Sequence, residues 1–341
     1  MQGSTLAKVA VNSNGVPVAQ SRKEGSSKPK MAAFTLVVLS LLLPVLLPWT
    51  KTSIIVAVCF GIAALGVSIL MRAGQMSFGH AMFACSAGYA VAFAARAWST
   101  LDSVALIAIG TVTSAVIGSV VAFFVVRYRG IFFGMLNLAL SMVLFSVLGK
   151  FFNLTGGTDG MRIARATFFG FTLDRDSFES ALLVMVVLLA LVLGWLAQRY
   201  LQSVAGQALC AIKTNETRLE YLGISAYRTM WIGYVFSAAL CGLSGAVFAI
   251  TQGLVTPELG YWIRSGEFVF IAILGGIGHP VGAFLGAAIF EFVKLFSAAY
   301  LTGAWQMVLG IVLICMVLFA PRGISGLLAK RNGVQEKGQQ S

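Results

Sequence analysis

The sequence predicts an all-α protein, a polytopic bundle of about eight to ten transmembrane helices that includes short or broken ones. Three observations predict it. Residues are 58% hydrophobic and only 11% charged, with a mean hydropathy of +0.89, whereas a soluble domain carries about 25% charged residues. Apolar runs near the length that a hydrocarbon core of roughly 30 Å demands recur along the chain. The basic residues, which give a net charge of +12, sit between those runs.

Residues 1–32 are polar, with Lys8, Arg22, Lys23, Lys28 and Lys30 among Ser, Gly and Gln. They are expected to be a disordered cytoplasmic tail, with no cleaved signal peptide. The membrane domain is expected over 33–326, followed by a cytoplasmic tail at 327–341. Candidate spans lie near 33–49, 53–70, 77–95, 104–126, 131–149, 180–197, 229–250, 266–279, 282–299 and 304–320. The eighth is short, because Gly275-Gly276-Ile277-Gly278-His279-Pro280 should break a helix. In the ninth, Gly282-xxx-Gly286 is a signal for close helix approach.

Ten crossings put both termini on one side, and the charges agree. Sixteen basic residues, among them Arg72, Arg127, Arg129, Arg199, Lys213, Arg218 and Arg228, fall on the side of the termini. Seven fall opposite: Lys51, Arg96, Lys150, Arg162, Arg165, Arg175 and Arg264. The positive-inside bias therefore places both termini and the loop at 198–228 in the cytoplasm. The loop at 150–179 lies outside, where Asp159, Asp174, Asp176 and Glu179 balance four basic residues and suggest a structured segment.

Several function classes are excluded. The charge is spread between spans, so no nucleic acid is expected as a partner; the lipid bilayer is. Five scattered cysteines without a C-x-x-C pair suggest neither a disulfide framework nor a metal site, and His80 and His279 are the only histidines. No GxxxxGK[ST] loop occurs, so any nucleotide that drives the protein is bound by another chain. No paired carboxylates or nucleophile–base set can be assembled for catalysis.

The stretch Gly206–Ile224 interrupts the apolar pattern with about one short helix of mixed character, too polar to span. At roughly 100° per residue, Ala208, Ile212, Leu219 and Leu222 share a side with Leu209 at its edge, and Lys213, Thr214, Thr217 and Arg218 occupy the rest. Such a helix suits capture by another protein.

Other polar residues are candidates for a translocation pathway or gate. Glu267 lies within the eighth span, where an ionisable group is costly, and pairing with Arg264 three residues back is the structural alternative. Glu291 and Lys294 are expected to neutralise each other. Asn137, Ser141 and Asn153 run along and beyond the fifth span and are expected to hydrogen-bond to neighbouring helices. Thr155-Gly156-Gly157-Thr158-Asp159-Gly160 reads as a loop needing positive φ, and Gly275 and Gly276 belong to the broken eighth span. His80 reads as a cap or packed polar residue, and the aromatic residues as mostly lipid-facing.

These stretches, in order, resemble the permease subunits of branched-chain amino acid ABC transporters, of the LivM branch. The matching residues are Ser77–Ala81 with Gly88-Tyr89; Leu154–Gly160; Gly206–Leu209 through Glu216 to Leu222-Gly223-Ile224; Glu267 leading into Leu274–Gly278; and Phe319–Gly323. The resemblance implies an importer of the bacterial inner membrane, with two related permeases, two cytoplasmic ATPases and a periplasmic solute-binding protein. ATP and Mg would belong to the ATPases, and this chain would bind no cofactor. It further implies that Gly206, Ala208, Leu209, Ile212, Glu216, Leu222, Gly223 and Ile224 couple the chain to an ATPase. Urea or a short amide is the alternative solute, and an ion-coupled carrier using Glu267 or Glu291 is the competing class.

Overall fold

The computed structural model describes residues 27–98, 101–164, 167–168, 170–171, 174–300, 305–319 and 323–324. Most of the expected N-terminal tail, the C-terminal tail and Ala320–Arg322 lie outside the described residues. Among the described residues the helices are α1 (Ser27–Leu46), α2 (Lys51–Arg72), α3 (Ala81–Ala97), α4 (Ser103–Val125), α5 (Ile131–Lys150), α6 (Phe152–Thr155), α7 (Arg175–Gln202), α8 (Val204–Thr214), α9 (Glu216–Tyr221), α10 (Ala226–Gln252), α11 (Trp262–Gly275), α12 (Pro280–Tyr300) and α13 (Trp305–Phe319). Strands β1 (Met161–Arg162) and β2 (Leu254–Val255) pair antiparallel, Met161 opposite Val255.

All ten expected spans coincide with a helix; α6, α8 and α9 are the additional short ones. Among the described residues, six helices are long and apolar enough to cross a membrane. The shortest of the ten, α11, has 14 residues, a rise of only about 21 Å. This is a multi-pass helical membrane protein.

The helices alternate in direction, and side-chain links join ends that the alternation brings together. At the end holding α8 and α9, Arg72 donates to the carbonyls of Ile277 and Gly278 (3.2 and 2.7 Å), and the Gly130 amide to Gln75 Oε1 (2.7 Å). At the end holding β1 and β2, Lys51 meets Asp176 at 2.6 Å.

The centre is α2 and α10, whose apolar stretches are 78% and 72% buried, against 22–28% for α4, α5 and α7. Lipid tails are as apolar as leucine, so helices in a membrane associate through close packing of small residues. A zipper of such residues joins α4 to α10. A β-carbon on Gly110 would meet Ala246 at 2.9 Å, one on Gly242 would meet Ser114 at 2.1 Å, and one on Gly118 would meet Ala238 at 2.4 Å. The residues descend in steps of four on one helix as they rise by four on the other, the register of an antiparallel pair. Ser114 Oγ reinforces it by donating to the Ala238 carbonyl at 2.8 Å. The expected Gly282–Gly286 contact is also present: Gly275 and Ile271 of α11 lie against it, and a β-carbon on Gly286 would meet the Ile271 carbonyl at 2.5 Å.

Two regions depart from the expected spans. Ser77–His80 precedes α3 as non-helical chain, and α11 begins at Trp262 and stops at Gly275, leaving Ile277–His279 outside it. Not all aromatic residues face lipid either. Phe60 packs with Phe248, Phe268 and Phe290, and Tyr234 with Phe83, Phe133 and His80.

Candidate functional site

The two short helices α3 and α11 each follow a segment that is not α-helical: residues 75–80, and residues 256–261 with a 3-10 turn at Pro257–Gly260. Gln75, Ser77, His80, Pro257, Leu259 and Gly260 of these segments are buried, while Met76 and Glu258 are exposed. Non-helical backbone at membrane depth is tolerated only where protein or a polar cavity satisfies it. The polar residues of the fifth span do part of this. Ser141 Oγ donates to the Gly260 carbonyl at 2.7 Å, and Asn137 Nδ2 to the Phe133 carbonyl at 2.8 Å. Asn137 Oδ1 accepts from Tyr234 Oη. Asn137 also abuts Gly79 so closely that a β-carbon there would fall 2.1 Å from the Asn137 carbonyl oxygen. The two helix starts are tied directly: Ser265 Oγ of α11 accepts from the Ala81 amide at 2.9 Å. His80, fully buried, shares a 2.6 Å hydrogen bond through Nδ1 with Ser77 Oγ, a packed polar residue as expected.

Glu267 lies one turn into α11 beside this junction. Its carboxylate is 6% exposed and accepts from Arg264 at 2.9 Å, so the i,i+3 pair is formed. Across from it on α12, one Glu291 oxygen is buried without a hydrogen-bond partner, and the Lys294 ammonium stands 5.4 Å from the Phe60 ring centroid. The helix break beyond Glu267 uses Gly276 at φ +87°, against which Gly323 packs. His279 then caps α12, its Nδ1 accepting from the Val281 amide at 3.3 Å, with Pro280 at the first helical position, where a missing N–H is harmless. Partial burial lowers the His279 pKa, and the Arg72 charge lowers it further.

At the α8–α9 end, the expected single helix is two. Asn215 is extended (φ −162°) and ends α8; its Oδ1 then caps α9 by accepting from the Arg218 amide at 2.9 Å. Asn and Ser side chains compete with helical hydrogen bonds and favour such caps, and Ser203 begins α8 the same way, accepting from the Gly206 amide. Gly206 itself has no room for a side chain, with the Tyr200 carbonyl 2.3 Å from where a β-carbon would stand. Ala208, Leu209, Ile212 and Leu219 are all buried. Leu209, expected at the edge of the apolar face, is fully buried against Gly233 of α10. Leu222 departs from the expected face: it is 73% exposed, as Tyr221 is 88% exposed, because α9 ends before it and Gly223 turns the chain at φ +80°. Ile224 is half-buried.

Arg129 was not legible as part of this region. From the turn between α4 and α5 it grips Glu216 with two hydrogen bonds, 2.8 and 3.0 Å, a planar fork onto a carboxylate. The second link is the aliphatic stem of Lys213, which covers Gly74. Together α8 and α9 touch the α4–α5 turn, α10 and the segment leading to α3. The only advance signal for Arg129 was its position between two spans on the same side as Glu216.

At the opposite end, Thr155 closes α6 and the turn expected from the glycines follows, with a 3-10 turn at Gly157–Asp159 and Gly156, Gly157 and Gly160 all at positive φ. Thr155 Oγ1 donates toward the Leu148 carbonyl at 2.6 Å, and Gly160 lies against the Val255 carbonyl, which brings β1 to β2. Asp159 ends the 3-10 turn just before β1. Nearby, Asp102 Oδ1 accepts from Thr167 Oγ1 at 2.6 Å and from the Gly170 amide at 3.0 Å. These two bonds lower the Asp102 pKa, the Thr167 hydroxyl most.

Comparison with known proteins fits this architecture. The chain is 25% identical over 314 residues to the LivM permease protein of a high-affinity branched-chain amino acid transport system of Salmonella typhimurium, covering 82% of this chain and 71% of that protein. Its Escherichia coli counterpart is 25% identical over 315 residues, with the same coverage. A probable branched-chain amino acid transport permease protein LivH of Methanocaldococcus jannaschii is 26% identical over 199 residues, 56% of this chain and 62% of that protein. No solved structure matches the chain. The family described as branched-chain amino acid transport system / permease component matches residues 50–317, and the chain belongs to that family.

Proposed function

We propose that this chain is one of two related permease subunits of an ATP-driven importer of branched-chain or related amino acids in a bacterial inner membrane. Both termini and the α8–α9 end face the cytoplasm in this reading, supported by the excess of basic residues on that side. ATP and Mg belong to two cytoplasmic ATPase partners, and a periplasmic solute-binding protein delivers the solute. The names of the relatives support the amino acid class, and the LivM and LivH likenesses support pairing with a second permease.

The observation that carries the coupling role is the contrast within α8–α9. Ala208, Leu209, Ile212 and Leu219 anchor the pair to the membrane domain, while Tyr221 and Leu222 stand exposed beyond it. An aromatic and an aliphatic side chain held on a polar loop make an anchor for a groove on another protein. Gly206, Glu216, Gly223 and Ile224 fix where that anchor stands. On the pathway, Asn137, Glu267, Gly275 and Gly276 hold the walls around the broken helices, and Thr155, Gly156, Gly157, Asp159 and Gly160 shape its external mouth. Half-helices with exposed ends at mid-depth are a common basis for solute passage.

The test is Leu222→Asp with Tyr221→Ala in the assembled transporter in liposomes. Amino acid uptake and solute-stimulated ATP hydrolysis should be lost while the permease remains in the membrane. Unchanged uptake would refute the coupling role, and uptake by this chain without ATPase partners would refute the importer class.

A further inference from the structure

An open depression of about 440 Å³ lies at the β1–β2 end. Its volume is within the roughly 300–1,000 Å³ that ligand clefts span. Arg96 from the last turn of α3 and Arg162 from β1 both line it, with Phe152, Leu154 and Met161 beside them. None of the lining residues is acidic. Among the described residues neither the Arg96 nor the Arg162 guanidinium has a carboxylate or hydrogen-bond partner, whereas the side chains of Lys51, Arg129, Arg175 and Arg264 each have a carboxylate.

Two unpaired guanidiniums that line one depression with apolar side chains give it a definite chemical preference. Guanidinium groups take a carboxylate through paired, charge-assisted hydrogen bonds. Phe152, Leu154 and Met161 offer surface for an aliphatic chain. The depression is also connected to the broken helices: α3 runs from it to the Ser265–Ala81 contact, and β1 is paired with β2, which leads into α11.

We propose that this depression is a receiving subsite for the solute, with Arg96 and Arg162 binding the α-carboxylate of an aliphatic amino acid as it leaves the binding protein. The inference rests on the amino acid importer reading above and adds a site to it. A side-chain carboxylate of the solute-binding protein has the same chemistry, and the two sources differ in kinetics.

The experiment uses the whole transporter in liposomes, with the leucine-loaded binding protein varied in concentration. The double variant Arg96→Gln with Arg162→Gln should lower the maximal leucine uptake about tenfold, the effect of losing a charge-assisted hydrogen bond. The binding-protein concentration giving half-maximal uptake should stay within about twofold, and basal ATP hydrolysis should be unchanged. Arg96→Lys with Arg162→Lys should recover part of the uptake. A raised half-maximal concentration with an unchanged maximum would overturn the proposal and assign the arginines to protein docking. Unchanged uptake in the glutamine variant would overturn it as well. Absence of leucine uptake by the wild-type assembly would instead refute the importer reading itself.

Discussion

Arg129 and Glu216 stand 87 residues apart in the chain and meet through two hydrogen bonds, Nη2 to Oε1 at 2.8 Å and Nε to Oε2 at 3.0 Å. The pair joins the α4–α5 turn to the first residue of α9. Arg129 also donates to the Val126 and Tyr128 carbonyls, which stiffens its own turn. The side chains are 27% and 37% exposed, so the pair contributes modestly to stability, roughly 1 kcal/mol or less. Its value is geometric. Arg129→Ala or Glu216→Ala should therefore leave thermal stability almost unchanged while cutting solute-stimulated ATP hydrolysis severalfold. The charge-swapped double variant should recover part of it. Equal ATP stimulation in all variants would remove the pair from the coupling path.

The α4–α10 zipper makes a stability prediction. Gly242→Val places branched carbons where Ser114 already lies, 2.1 Å from the first of them, and breaks the Ser114–Ala238 bond by pushing the helices apart. Overpacking of this kind costs about 1–3 kcal/mol or more. The variant should show a clearly lowered unfolding temperature in detergent. Gly149→Ala, on a helix position with nothing near it, is the control that should match wild type.

Glu267 is held by Arg264 at the start of α11, and its burial makes the pair sensitive to loss of one partner. Arg264 is 29% exposed, so water would partly rehydrate it, and Glu267→Gln should cost about 1–2 kcal/mol rather than the full penalty for a deeply buried charge. If Glu267 only holds the wall, the KM for uptake should stay within about twofold of wild type at this modest loss of stability. A large change in KM without a change in stability would place the carboxylate in contact with the solute.

The helical architecture was legible because hydropathy at span length is a strong, one-dimensional signal, and each of the ten apolar runs became a helix. Glycine chemistry was equally readable: Gly156, Gly157 and Gly160 adopt the positive φ expected of their segment, and the helix break expected at Gly275-Gly276 is present. What escaped depends on contacts distant in sequence. Residues 77–80 adjoin an apolar run and read as part of its helix, yet they form a bend and turn in which Gly79 packs against Asn137. The helical wheel that put Leu222 among the buried residues assumed one unbroken helix through Asn215, where the side chain instead caps a second one. Arg129, Gln75, Ser265 and Tyr234 became meaningful only once the fold brought their partners to them.

The last prediction concerns pH at the α11–α12 break. His279 Nδ1 accepts a hydrogen bond from the Val281 amide, so the cap requires an imidazole without a proton on that nitrogen. Partial burial first, and Arg72 second, hold the His279 pKa below its ordinary value near 6.5. A histidine with a depressed folded pKa contributes fully above the unfolded value and loses that contribution as pH falls through the folded one, since the unfolded chain binds the proton more readily. Arg72 donates to the Ile277 and Gly278 carbonyls next door, so a second positive charge at His279 would repel it and loosen the turn. Hydrogen exchange in residues 276–282 should accordingly rise as pH is lowered below about 6.5, after correction for intrinsic exchange rates. His279→Asn supplies a cap that does not titrate, and that variant should show a flat profile over the same range. A wild-type profile as flat as that of the variant would show that the cap does not depend on the imidazole.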